Sequence, residues 1–142
     1  MGFSLSRLAL GVAVMAVACG LSYAVGGRTV RRAVVAVVVC WLAASAAQLA
    51  LRAQWPSIAG NVACGLVLLR LAVQENRIWP WILVAIEAVL LVLHALLFGS
   101  AGPIPPPAET IGNNLLVSAG LLVLVLAALG DWLRRKAPIP SM

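Results

Sequence analysis

The chain has 142 residues, 63% of which are hydrophobic, and its mean hydropathy is +1.08. A chain of this size has too few polar residues to form the surface of a water-soluble globular protein, so we expect one small membrane domain. The formal charge is +6, but the ten basic residues lie at the ends of apolar stretches and form no continuous stripe. This distribution indicates orientation in a membrane and excludes nucleic acid as the expected partner.

Five long apolar runs predict an all-α transmembrane helical bundle with five spans, forming a single domain over residues 1–142. A helix needs about 20 mainly apolar residues to cross a hydrocarbon core about 30 Å thick. The third run is the shortest and contains Asn61 and Arg70, so we expect a tilted or partly buried helix there. One glycine pair at 26–27, polar turns at 54–57 and 74–77, and a proline-rich loop that holds Pro103, Pro105, Pro106 and Pro107 separate the runs. The predicted spans are 8–25, 33–51, 58–73, 78–98 and 115–133.

Basic residues are distributed unequally between the two sides of these spans. One side has only Arg7 and Arg52, and Arg70 lies close to the other side. Because positively charged loops stay in the cytoplasm, we predict a multi-pass protein of the inner (cytoplasmic) membrane with its N-terminus outside and its C-terminus inside. The basic residues of the cytoplasmic side are Arg28, Arg31, Arg32, Arg77, Arg134, Arg135 and Lys136.

A second interpretation of the N-terminus is a signal peptide. Arg7, the apolar run 8–17 and the small residues 16–18 before Cys19 have the required order. Cleavage would export the loop that contains Arg28 and its neighbours, which opposes the charge rule. The first run is therefore interpreted as a retained span.

Glu87 is the most informative single residue, because it lies near the middle of the fourth run. A charge at that depth is costly unless it is paired, hydrated or protonated, and intramembrane ionisable groups are candidates for function. His94 follows seven residues later. At 3.6 residues per turn the two side chains share nearly one helix face and lie about 10 Å apart along the axis.

The turn between the third and fourth runs extends this face to a second helix. Folding the hairpin about Asn76 brings Gly65 to the depth of Glu87, where it leaves room beside the carboxylate, and brings Asn61 towards the depth of His94. Arg70 lies nearer the cytoplasmic end, and its long side chain is able to reach towards the acid. The predicted intramembrane polar face consists of Glu87, His94, Arg70 and Asn61.

Two explanations for this face remain open. In the functional one, a carboxyl group and an imidazole at this depth handle protons or cations. In the structural one, the same groups hold helices or subunits together by hydrogen bonds or an Arg70–Glu87 pair. A single His and a single central Glu are few for a proton relay, which favours the structural explanation.

The remaining polar groups have structural interpretations. Asp131 precedes Arg134 and Arg135 by three and four residues, the spacing of a local ion pair on one helix. Gln48 is a candidate for a hydrogen bond between helices. Asn113 and Asn114 come just before the fifth span and are expected to cap it.

Small residues recur at the spacing that allows close helix packing. One ridge consists of Ala16, Gly20 and Ala24, and a second of Ala43 and Ala47.

No enzyme motif is visible, so we predict a non-enzymatic protein without a metal or other cofactor. The sequence has no metalloprotease helix motif, no serine nucleophile elbow and no phosphate-binding loop. Cys19, Cys40 and Cys64 lie alone in different spans and are expected to be small packing residues. A haem with two histidine ligands would require His94 from two copies of the chain.

The second half of the chain resembles the small multi-span membrane proteins of unknown function encoded in tailed-phage and prophage genomes. The similarity lies in residues 75–81, Glu-Asn-Arg-Ile-Trp-Pro-Trp, leading into a span that contains His94, and in residues 111–116, Ile-Gly-Asn-Asn-Leu-Leu. The resemblance implies a host-membrane protein with a holin-like or phage-exclusion role, and it brings no functional residues with it.

Together these observations predict a small membrane protein that works as a homo-oligomer or as an accessory subunit of a larger membrane-protein partner, in a holin-like or phage-exclusion role. The alternative is a small proton-coupled transporter or channel that uses Glu87.

Overall fold

A computed structural model describes residues 5–51, 55–99 and 106–137, and this part of the chain is entirely helical. Four of the helices are long and apolar enough to cross a membrane, and the described apolar part of the first, Gly11–Val25, is shorter. The protein is therefore a membrane-embedded helical bundle. The helices are α1 Leu5–Val25, α2 Arg28–Leu51, α3 Trp55–Gln74, α4 Ile78–Gly99 and α5 Pro106–Lys136.

The helices form a closed ring. Each one packs against the helix before it and the helix after it, α1 also packs against α5, and α2 reaches across to α5. The core where they meet is apolar, and its largest fully buried side chains include Leu68, Leu124 and Val30. The hairpin of α3 and α4 forms as predicted, and α3 has the largest buried share of the four long helices, in line with the partly buried helix expected from its short apolar run with Asn61 and Arg70.

The turn between α1 and α2 is tight because two glycines occupy it. The Gly26 amide donates to the Ser22 carbonyl, which ends α1, and α2 begins only two residues later at Arg28. A Cβ atom on Gly26 would lie 2.6 Å from Cγ1 of Val30. Only glycine therefore fits this reversal without a shift of α2.

Helix α5 begins nine residues before its predicted start. Its first residues are Pro106 and Pro107, which the sequence analysis assigned to a helix-breaking loop. Proline is tolerated in the first turn because the backbone N–H groups there have no partner within the helix. The helix consequently runs through Asn113 and Asn114, and the prediction that they cap its start was wrong.

Helices α2 and α3 approach each other closely at Gly60. A Cβ atom on Gly60 would lie 2.6 Å from Cβ of Ala44, so the two backbones meet at this point. The ridge predicted from Ala16, Gly20 and Ala24 behaves differently, because all three residues are exposed on the outer surface of α1.

Candidate functional site

A cavity of about 730 Å³ lies inside the bundle and takes lining residues from all five helices. Most of its wall is apolar, as expected for a binding cavity, and a small set of polar groups converges on it. Three of the four residues of the predicted polar face line this cavity. The polar and ionisable side chains that matter for its chemistry are Gln48, Ser57, Asn61, Cys64, Glu87 and His94.

Glu87 lies about 13 Å along α4 from the start of that helix, near its middle. The side chain is half-buried between Leu83 and Leu90, which turn the same face of α4 into the core. A Cβ atom on Gly65 would lie 3.7 Å from Cβ of Glu87, so the glycine leaves the room beside the acid that the hairpin geometry predicted.

The carboxyl group of Glu87 is incompletely satisfied. Cys64 lines the same cavity, but Oε2 of Glu87 is buried and has no hydrogen-bond partner among the described residues. A buried polar atom without a partner is energetically costly. A hydrogen-bond donor or a cation that reached this oxygen would remove that cost.

His94 has its ring held by its own helix. Nδ1 lies 2.7 Å from the carbonyl oxygen of Leu90. Because a carbonyl oxygen only accepts, Nδ1 carries the proton and donates it in this bond. In the neutral ring the lone pair is then on Nε2, which is able to accept a proton or a hydrogen bond.

The cavity extends towards the ends of α2 and α3 that lie away from the arginine-rich turns. There Ser57 Oγ donates to Gln48 Oε1 at 3.1 Å, which confirms the prediction that Gln48 bonds between helices. Asn61 lies one turn further along α3, between this pair and Cys64. Polar groups thus follow the cavity from this end to Glu87.

Arg70 departs from the predicted polar face. It is exposed on the outer surface of α3 and does not line the cavity, whereas Leu68, Leu71 and Ala72 turn inwards. The physical reason is the rotational phase of α3, because its buried residues occupy a different face of the helix from position 70. The pair that the sequence predicted between Arg70 and Glu87 is not formed among the described residues.

An apolar layer closes the cavity on the arginine-rich side of Glu87. Leu68, Leu83 and Leu124 are each at most 3% exposed and meet at this level. Beyond them Val30 and Pro80 are fully buried. These apolar side chains lie between Glu87 and the arginine-rich end, where Ser22 and the indole nitrogen of Trp79 are also buried.

Asp131 joins three parts of the chain at the arginine-rich end. Its Oδ1 lies 2.5 Å from Nη1 of Arg77, and its Oδ2 accepts the Gly27 amide at 3.1 Å. The predicted local pair with Arg134 and Arg135 was wrong. Asp131 is largely buried and faces the two turns, whereas both arginines are exposed.

A second contact reinforces this end. Thr29 Oγ1 donates to Glu75 Oε1 at 2.7 Å, which ties the start of α2 to the end of α3. We call the five residues Gly27, Thr29, Glu75, Arg77 and Asp131 the polar clasp. It holds the α1/α2 turn, the α3/α4 turn and the end of α5 together.

The cysteines are free thiols, with Cys19 and Cys64 buried and Cys40 partly buried, which agrees with their predicted packing role. Among the residues that the structure describes, no three His, Cys, Asp or Glu side chains come close enough to hold a metal ion.

Comparison with known proteins found no family, no characterised protein and no solved structure that matches this chain.

Proposed function

We propose that the chain is a five-span protein of the inner membrane, with its N-terminus outside and the polar clasp at the cytoplasmic face. The support is that the two short turns and the end of α5 meet at one end of the bundle, through Gly27, Arg77 and Asp131. Seven of the ten Lys and Arg residues are therefore gathered there. Loops rich in these residues are retained in the cytoplasm.

Within this frame, the role best supported by the geometry is that of a small transporter or channel for protons or cations, with Glu87 as the binding group. The observation that carries this proposal is the buried Oε2 of Glu87, which has no hydrogen-bond partner among the described residues and belongs to a side chain that lines the cavity together with His94 and Asn61. An acid used only to hold helices together would be expected to have its oxygens satisfied by neighbouring helices.

The two ends of the cavity suggest how such a protein would work. On the outer side, Gln48, Ser57, Asn61 and His94 provide hydrogen-bonding groups along the route to Glu87. On the inner side, the apolar layer and the polar clasp block the route, so release to the cytoplasm requires the helices to separate there. Such movement of helices around a central site is the general form of alternating access.

The test is proton flux through the reconstituted full chain. Liposomes that contain a pH-sensitive dye receive a potassium diffusion potential, and the initial rate of pH change is measured. We expect flux with the wild-type chain and a reduction of at least about tenfold with Glu87→Gln, which keeps the shape but not the titratable group. Arg70→Gln is the control, because it replaces an ionisable group with the same amide on the exposed surface of α3, outside both the cavity and the polar clasp.

Two results would overturn the transport proposal. One is a wild-type chain that leaves the imposed gradient unchanged. The other is a Glu87→Gln variant that retains full flux. A lower thermal midpoint of unfolding for Glu87→Gln, with no flux in either protein, would assign Glu87 to helix packing.

A holin-like or phage-exclusion protein that assembles with copies of itself or with a larger partner is the second candidate. It is favoured by the exposed ridge of Ala16, Gly20 and Ala24, since a Cβ atom on Gly20 would meet nothing within 4 Å. Such ridges let helices of different subunits approach closely. Timed expression would then collapse the membrane potential of the host, and Gly20→Leu would prevent this. Unchanged growth and potential during wild-type expression would exclude the holin-like role.

A further inference from the structure

A groove of about 640 Å³ lies on the outside of the bundle, at the arginine-rich end. Four arginines line it, and an apolar wall continues from them along α2. None of the described residues that line the groove is acidic. We call it the arginine groove, and its basic residues are Arg28, Arg31, Arg32 and Arg135.

Two of the four guanidinium groups are fixed in position by the end of α1. Arg31 donates from Nε to the Tyr23 carbonyl at 2.9 Å, and its Cζ lies 5.6 Å from the centre of the Tyr23 ring. Arg135 donates to the Val25 carbonyl. Both side chains thereby satisfy backbone carbonyls at a helix C-terminus, where positive charge is favourable.

Arg28 and Arg32 lack such compensation. They are exposed, they are four residues apart on one face of α2, and like charges at this spacing repel each other. They also lie in the first turns of α2, where the helix dipole already presents positive charge and the sequence has no acidic residue. Two carboxylates of the described part lie nearby: Asp131 is engaged by Gly27 and Arg77, and Glu75 accepts a hydrogen bond from Thr29. Among the described residues, neither forms an ion pair with Arg28 or Arg32. An anion between these arginines would relieve both their mutual repulsion and the unfavourable placement of positive charge at the start of α2.

The rest of the groove has the dimensions of a lipid chain in one leaflet. Val35, Val39 and Val67 are between 43% and 57% exposed and form its apolar wall. From Arg28 to Val39 the helix rises about 16 Å, which is close to half of the roughly 30 Å hydrocarbon core. The arginines therefore lie at headgroup depth when the wall lies beside acyl chains.

We propose that the arginine groove binds one anionic phospholipid, with its phosphate between Arg28 and Arg32 and an acyl chain against Val35 and Val39. The charge selects an anionic headgroup, and the wall selects a lipid over a free phosphate. Basic pockets between helices near the cytoplasmic face are suited to such lipids. The proposal does not depend on the role of Glu87.

The experiment is native mass spectrometry of the full chain in detergent, titrated with phosphatidylglycerol or with phosphatidylcholine of the same acyl chains. We expect one phosphatidylglycerol to bind at least about tenfold more tightly than phosphatidylcholine. Replacing Arg28 and Arg32 with Gln is expected to abolish this preference. Replacing Arg134 and Lys136 with Gln removes two charges at the same end but outside the groove, and is expected to preserve it.

A second variant pair tests the wall without changing any charge. Val39→Phe fills the groove, whereas Val73→Phe adds the same ring on an exposed part of α3 outside it. We expect only Val39→Phe to weaken phosphatidylglycerol binding. Equal loss in both charge variants would mean diffuse attraction to the basic end, and would overturn the proposal. So would the absence of any preference in the wild-type chain, or unchanged binding with Val39→Phe.

Discussion

At the residue scale, the contact between Gly60 and Ala44 decides how closely α2 and α3 approach. We expect Gly60→Ala to lower the free energy of unfolding by about 1 to 3 kcal/mol, because the added methyl group overpacks against Ala44 and forces the helices apart. Thermal or denaturant unfolding in detergent measures this. Gly11→Ala is the matched control, since its methyl group meets no atom within 4 Å and its effect is expected to be neutral or slightly stabilising.

A rescue experiment makes the prediction specific. If the steric contact is the cause, combining Gly60→Ala with Ala44→Gly restores the lost stability, because the single methyl group is then carried by α3 instead of α2. A double variant as unstable as Gly60→Ala alone would contradict this explanation.

Individual residues also differ in how far their positions follow from the sequence. The spacing of Glu87 and His94 within one helix, and the folding of Gly65 beside Glu87, follow from helical geometry and a short turn. The position of Arg70 does not, because it depends on the rotation of α3 about its axis. In a run where most residues are apolar, the pattern of hydrophobic residues leaves that rotation undetermined.

At the scale of helices and turns, Asp131 is the residue that links separate elements. We expect Asp131→Ala to lower the free energy of unfolding by about 1 to 3 kcal/mol, because it leaves the Gly27 amide and the Arg77 guanidinium without their partner. Arg134→Gln, which alters the predicted but unformed local pair, is expected to change stability by no more than about 0.5 kcal/mol.

A double-mutant cycle isolates the pair. Removing Arg77 as well as Asp131 is expected to cost less than the sum of the two single changes, because each change already breaks the same interaction. Strict additivity of the two costs would show that the two side chains do not interact.

The positions of the helices in the sequence were largely predictable, whereas most of the side-chain contacts between distant helices were not. Long apolar runs and the Gly26–Gly27 turn predicted five helices, although α2 begins at Arg28, five residues before its predicted start, and so includes arginines that were expected in a loop. The start of α5 was missed because proline breaks a helix in its interior but is accepted in its first turn, as at Pro106. The clasp was missed because the distance in sequence between Gly27 and Asp131 gives no local signal, whereas the nearer Arg134 and Arg135 offered a plausible but unused pair.

At the scale of the whole molecule, the proposed orientation predicts where each end of the chain lies. A fluorescent protein fused after residue 142 is expected to fluoresce in the cytoplasm, and alkaline phosphatase at the same position is expected to be inactive. Replacing Arg134, Arg135 and Lys136 with Gln is expected to leave this orientation unchanged, because Arg28, Arg31 and Arg32 still retain the α1/α2 turn inside. An active phosphatase fusion to the wild-type chain would reverse the assignment.

The packing of α1 against α5 has a consequence for synthesis of the protein. Helix α1 leaves the ribosome before its principal neighbour, α5, so α1 waits in the lipid while the three helices between them are inserted. Until α5 is inserted, the amide of Gly27 and the guanidinium of Arg77 also lack their partner, Asp131. Chains truncated before α5 would leave exposed the face of α1 that α5 covers in the complete bundle. Quality-control proteases would encounter that exposed face on such chains.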